Sequence, residues 1–216
     1  MAGPAPDGPL DAIERAELCD LFVELGPDAP TLCEGWSTLD LAAHLVIRER
    51  SLRSGPAILW PNRFAKLGDR LRERARAKGY EALVDRLRRG PLPIPWKVPG
   101  LRTLVNFNEY FVHHEDVRRA NSRGPRPTDE RRDAALWKNV PRIAPLAARK
   151  VKGVGLEAHA PGFGSVRLKR GEPAAVLVGP PAELVLYLNG RRGAAEVVLG
   201  GDPKAMALLD QARLGI

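Results

Sequence analysis

The segment Asn106-Phe-Asn-Glu-Tyr-Phe-Val-His-His-Glu-Asp116 gathers the side chains best able to do chemistry. Asn106, Glu109, His113 and Asp116 recur at steps of three and four, so on a helix they share one face. Leu104, Val105, Phe107, Tyr110, Phe111, Val112 and Val117 stand around them, which makes a polar stripe on a mostly apolar helix. An unpaired buried polar group costs roughly 2–7 kcal/mol, so such a stripe needs partners. Glu109 and His113, four residues apart, can converge on one ion, as the two histidines of other helical zinc motifs do. The third ligand must come from elsewhere. His44, a lone imidazole in Leu39-Asp-Leu-Ala-Ala-His-Leu-Val-Ile47, is the candidate. Two histidines and one glutamate suit zinc, with nickel and iron(II) as alternatives. Three protein ligands leave a position open, as catalytic sites do. The same spacing also fits an ordinary i,i+4 pair of Glu109 with His113 and a hydrogen-bonded core histidine at 44.

The elements that must position these groups can be read along the chain. Residues 1–9 read as a flexible tail, followed by a helix over about 10–25 that Gly26-Pro27 stops. A loop leads to Trp36. Ser37-Thr-Leu-Asp40 then has the outline of a capping box opening a second helix to about Ser54. Residues 62–89 are helical in pattern and strongly basic, with Gly79 as a break. Residues 90–100 carry too many prolines for a regular helix. Further helices are expected over 101–120 and 128–150, the latter containing Pro141 and Pro145. From about residue 151 the pattern changes to short strands at 156–160, 166–169, 174–178 and 195–199, with helices at 181–188 and 203–212. The expectation is a mainly α protein, with a helical bundle over 10–150 and a small α/β module over 151–216.

Bulk composition narrows the function classes. The 216 residues are 44% hydrophobic and 28% charged, enough apolar material for a core without staples. The start lacks the basic and apolar regions of a secretory signal, and no apolar run approaches the roughly 18 residues of a membrane span. A cytoplasmic protein is expected. Cys19 and Cys33 match no zinc ribbon or redox pair and read as small buried hydrophobes. The net charge of +8 raises nucleic acid as a partner. Yet the 62–89 run has no aromatic interleaving and no helix-turn-helix or zinc-finger signature, so a solvated face is the simpler reading. No Gly-x-Ser-x-Gly elbow and no complete nucleotide-binding glycine pattern occurs. His114 points away from His113 and is expected to be exposed or behind the site. His159 reads as an outward strand residue.

Two blocks carry a resemblance. Thr31-Leu-Cys-Glu-Gly-Trp-Ser-Thr-Leu-Asp-Leu-Ala-Ala-His-Leu45 follows the pattern C-x-G-W-(S/T)-x-x-D-L-x-x-H-L. Asn108-Glu-Tyr-Phe-Val-His-His-Glu-Asp-Val-Arg-Arg-Ala120 follows E-x-x-x-H-x-x-D-x-R-R-A. Together they resemble the mycothiol-dependent maleylpyruvate isomerase family of DinB/YfiT-like metalloenzymes. The resemblance implies a DinB-like four-helix bundle and a divalent metal, usually zinc, held by His44, Glu109 and His113. Glu183-Leu-Val-Leu-Tyr-Leu-Asn-Gly-Arg191 is similar to the helix-plus-Gly-Arg stretch of that family's sterol-carrier-like module. This implies that Arg191 meets a carboxylate of the thiol cofactor or substrate; a surface arginine near a helix end is the alternative. The basic 62–89 and proline-rich 90–100 segments have no counterpart in the resemblance.

The expected activity is therefore that of a divalent-metal-dependent enzyme using a low-molecular-weight thiol, by resemblance mycothiol. It would carry out S-transfer to, or isomerisation of, a small electrophile. Asp116 either orients the site as a hydrogen-bond acceptor or pairs with Arg119 on the helix surface. Two alternatives stand beside this reading: a non-enzymatic protein that binds metal and a ligand, and, less favoured, a nucleic-acid-binding protein.

Overall fold

The computed structural model describes residues 7–50, 65–90, 101–212 and 214–215, with side chains described for all of these except 50, 65–68 and 101–105. The proline-rich 91–100 stretch, the end of the second helix beyond Arg50 and most of the N-terminal tail lie outside the described residues. The described chain is mainly helical, with one small four-stranded sheet. It divides into two compact units, Met1–Pro125 and Arg126–Ile216.

The first unit contains helices α1 (Leu10–Leu25), α2 (Thr38–Arg50), α3 (Ala65–Arg76), α4 (Tyr80–Arg88) and α5 (Leu101–Ala120). Its core draws on most of these helices: Leu18 and Phe22 of α1, Leu41 and Leu45 of α2, Leu83 and Leu87 of α4, Tyr110 and Val117 of α5. The Phe22 ring meets Tyr80 edge-on, and the Tyr80 hydroxyl donates to the Phe22 carbonyl at 2.7 Å. The expected break of the basic segment occurs at Gly79, whose φ of +84° suits glycine and ends α3 before α4 begins.

The start of α2 realises half of the expected capping box. The Asp40 carboxylate accepts the Ser37 backbone N–H at 3.1 Å. The Ser37 hydroxyl also donates to Asp40, at 3.1 Å, instead of accepting an N–H. The shorter aspartate draws the hydroxyl to itself, so the reciprocal bond of a full box is replaced.

The second unit holds α6 (Glu130–Ala147), β1 (Gly155–Ala160), β2 (Gly164–Lys169), β3 (Ala174–Val178), α7 (Pro181–Leu188), β4 (Val198–Gly201) and α8 (Pro203–Gln211). The sheet order is β2-β1-β3-β4; β1 and β3 run parallel and the outer pairs antiparallel. The fourth strand begins three residues later than its apolar run suggested, because Ala175 to Val178 pair with Gly201 to Val198. His159 sits opposite Ser165 in register, and its ring nitrogen Nδ1 lies 2.9 Å from the Ser165 hydroxyl.

Helix α6, within the 10–150 span expected to be helical, falls in the unit Arg126–Ile216. It packs on α7 and β2. Its buried residues Leu136, Val140, Ala144 and Ala147 need an apolar partner, and α7, buried almost throughout, supplies one. Helix periodicity reports that a helix has an apolar face but not which neighbour covers it. No helix among the described residues is long and apolar enough to cross a membrane.

Truncating Phe22 to alanine is expected to destabilise the first unit by about 3–5 kcal/mol, the usual cost of emptying a packed aromatic site. Chemical denaturation followed by circular dichroism at 222 nm would read it; a loss below 1 kcal/mol would mean that Phe22 is not a core anchor.

Candidate metal centre

Helix α5 carries four consecutive buried ionisable residues, His113, His114, Glu115 and Asp116. Four consecutive positions spread over about 300° of the helix circumference, so they reach several neighbours, with His113 and Asp116 back on one face. Each of them finds a different partner. His113 turns towards α2 and towards the loop between α1 and α2. His114 turns to α1, where its Nδ1 lies 3.0 Å from Glu14 Oε2. Glu115 accepts from Arg119 at 2.8 Å, one turn along its own helix. Asp116 is completely buried and lies 2.9 Å from His113 Nδ1.

The expected ligands come together. His44 Nε2 lies 3.5 Å and His113 Nε2 lies 3.3 Å from the same oxygen, Glu109 Oε1. The two imidazole rings stand edge to face with centroids 5.5 Å apart. All three ligand atoms lie within 4.8 Å of one another. Charge-assisted hydrogen bonds are usually shorter, about 2.7–2.9 Å. By contrast, ligands about 2.1 Å from a tetrahedral zinc stand about 3.4 Å from one another. The separations of 3.5 and 3.3 Å are close to that edge length and also within reach of long hydrogen bonds. The donor set, two neutral-capable imidazoles and one carboxylate, fits a divalent ion equally well.

Sequence reasoning missed three residues of this site. Cys33 was read as a buried hydrophobe, and Cys19 fits that description: it is fully buried, and burial pushes its thiol up to about 12. Cys33 does not. Its Sγ lies 3.3 Å from Asp116 Oδ2 and 3.9 Å from His113 Nδ1. The loop that brings it there is tied down: Leu32 N–H donates to the Asp116 carbonyl at 3.1 Å, and the Thr31 hydroxyl to the Trp36 carbonyl at 2.9 Å. Arg48 is the second omission. Its Nε lies 3.2 Å from Glu109 Oε1, and its Nη1 donates to Asn106 Oδ1 at 3.0 Å. Being four residues after His44, it was detectable from helical spacing. Trp36 is the third, with its ring centroid 5.2 Å from that of His44 and the Arg72 guanidinium 4.8 Å above it.

Asp116 Oδ2 lies 2.9 Å from His113 Nδ1, and Arg119 Nε lies 2.8 Å from Glu115 Oε2. His114 is not exposed: only 4% of it is accessible, because Glu14 gives it a buried partner. Arg191 lies in the second unit, just beyond α7, and donates to the Asn189 carbonyl at 2.7 Å.

The protonation pattern follows from these contacts. Burial would lower the pKa of His113, but hydrogen bonds with Asp116, Cys33 and Glu109 outweigh it and raise the value well above the usual 6.5. Burial dominates at His44 and lowers its pKa, so that ring is neutral at pH 7. At Glu109 burial acts upward, yet hydrogen bonds from His113 and His44 and the Arg48 charge hold the carboxyl well below its usual range. The ion-free cluster is thus an anionic carboxylate, one imidazolium, one neutral imidazole and a guanidinium. Arg48 competes with any cation for Glu109.

No family model matches this chain, and neither a curated protein nor a solved structure matches it.

Binding of a divalent ion requires the lone pair on His113 Nε2, so it must displace the proton that the raised pKa keeps there. At pH 7 about one proton per ion is expected to be released, and affinity should rise with pH until the folded-state pKa of His113 is passed. Zinc titration calorimetry in two buffers of different ionisation enthalpy measures this; identical heats in both would rule it out. Replacing Asp116 by asparagine is expected to weaken zinc roughly 10–100-fold, since the carboxylate no longer holds the Nδ1 proton.

Proposed function

We propose that this chain is a divalent-metal-dependent enzyme that uses a low-molecular-weight thiol, with mycothiol the first candidate, for S-transfer to or isomerisation of a small electrophile. The observation that carries the metal part is the convergence of His44 Nε2 and His113 Nε2 on Glu109 Oε1 at 3.5 and 3.3 Å. The thiol part is supported by the resemblance of the blocks around His44 and Glu109–His113 to mycothiol-dependent isomerases, an argument by analogy. On the same grounds the first unit is proposed to be a DinB-like bundle and the second to be sterol-carrier-like, with Arg191 meeting a carboxylate of the thiol or substrate.

His44, Glu109 and His113 would hold the ion, with zinc favoured by two nitrogens and one oxygen. A bound ion of this kind supplies Lewis acidity, which lowers the pKa of a thiol or water in the open position. The chain's own groups do the rest. With an ion bound, Asp116 would keep the proton on His113 Nδ1 and leave the Nε2 lone pair for the ion. Cys33, beside the His113–Asp116 contact, shares that carboxylate. Trp36 packs beside His44 and narrows solvent access on that side. Arg48 balances the Glu109 charge when no ion is present.

A second reading, metal and ligand binding without turnover, is favoured by one contact: Arg48 already satisfies Glu109 as a hydrogen-bonded network would.

Elemental mass spectrometry on the purified chain is expected to find near-stoichiometric zinc, nickel or iron, lost in folded His44→Ala and His113→Ala variants. The metal-loaded chain should then consume an electrophile together with mycothiol, and chelation should abolish this. Equal consumption with and without metal would sink the enzymatic proposal. A folded wild type that takes up no divalent ion would sink the metal centre as well.

A further inference from the structure

The first unit contains a second concavity, on another part of α2. Val46 and Ile47 of α2, Leu71 and Ala75 of α3 and Leu83 of α4 form an apolar floor under a cavity of about 240 Å³. Three cations, Arg74, Lys78 and Arg86, stand at its rim.

The cations of this segment fall in different settings. Arg72 pairs with Asp69, Arg76 with Asp40 at 3.0 Å and Arg88 with Asp20 at 2.7 Å. Arg74, Lys78 and Arg86 have no ion-pair partner among the described residues. Moreover, Arg86 Nε is buried and has no hydrogen-bond acceptor among the described residues. A guanidinium that lines the groove with one of its donors unmet is well placed to take an anion through its remaining N–H groups.

We propose that this groove binds a small amphipathic carboxylate, its apolar body on the floor and its carboxylate against Arg86, with Arg74 and Lys78 adding charge. The size limits the ligand: the cavity is below the roughly 300–1,000 Å³ of sites for drug-sized molecules, which leaves room for a ring or a short chain. The floor argues against nucleic acid. A phosphate backbone gains from a track of cations and loses from an apolar surface beneath it. An arginine fork matches a carboxylate in two-point geometry.

Calorimetric titration of the full chain with octanoate, 1-octanol and acetate separates the two requirements. Octanoate is expected to bind at one saturable site. Octanol shares its body and acetate its charge, and each should bind about tenfold more weakly or worse. The double substitution Arg74→Gln with Arg86→Gln should weaken octanoate at least about tenfold, the scale of a lost charge-assisted hydrogen bond, without moving the thermal midpoint. If that variant does not fold, Lys78→Gln, at an exposed turn, should still weaken octanoate measurably. Octanoate binding no tighter than octanol, or unchanged in the folded variants, would overturn the proposal. So would binding of a short DNA duplex, abolished by the same substitutions, with no octanoate heat.

Discussion

Four adjacent ionisable residues inside one helix set the terms for the first unit. His113, His114, Glu115 and Asp116 cannot all be buried unless a partner reaches each of them, because an uncompensated buried charge costs several kcal/mol. The partners come from different directions. Glu14 arrives from α1, Arg119 from the next turn of α5, and Cys33 from the α1–α2 loop. His44 and Arg48 approach from α2 through Glu109. These pairings couple the orientation of α1, α2 and the 31–36 loop to α5, on top of the apolar packing around Phe22 and Tyr110.

The same requirement accounts for the form of the candidate site. Asp116 has one carboxylate and two neighbours, His113 Nδ1 and the Cys33 thiol. Its hold on Nδ1 selects which imidazole nitrogen faces Glu109, and so the ligand geometry depends on a residue that would not itself touch an ion. His113 and His114 are neighbours in sequence with opposite fates. One meets a carboxylate at each ring nitrogen, the other turns its Nδ1 to Glu14 and Glu17 on α1. Adjacent positions on a helix point about 100° apart, so the pair cannot share a site.

The basic stretch that raised nucleic acid as a partner is less uniform in structure than in sequence. Helices α3 and α4 place several of its arginines against acids, one of them on the capping residue Asp40. Three others, Arg74, Lys78 and Arg86, fall where apolar residues of three helices meet. A formal charge count could not separate these two populations, because pairing depends on which helices lie side by side.

Much of this was legible in the residues themselves. Helix limits followed from Gly26 and Gly79, where a positive φ suits glycine and ends a helix whatever surrounds it. The i,i+3/i+4 spacing of Asn106, Glu109, His113 and Asp116 placed them on one face, since helical geometry is local. His44 could be named as a partner only because an imidazole in an apolar helix needs one. Other features were beyond sequence. The role of Cys33 depends on a loop folding back across 83 residues of chain onto Asp116. The close approach of Asp116 to His113 Nδ1 and to the Cys33 thiol depends on how the side chains pack around a buried position. The assignment of α6 to the second unit depended on α7 offering it an apolar face. Local geometry is written in residue type and spacing. Which of several compatible partners a buried group meets is decided by the packing of whole elements, and only the tertiary structure contains that.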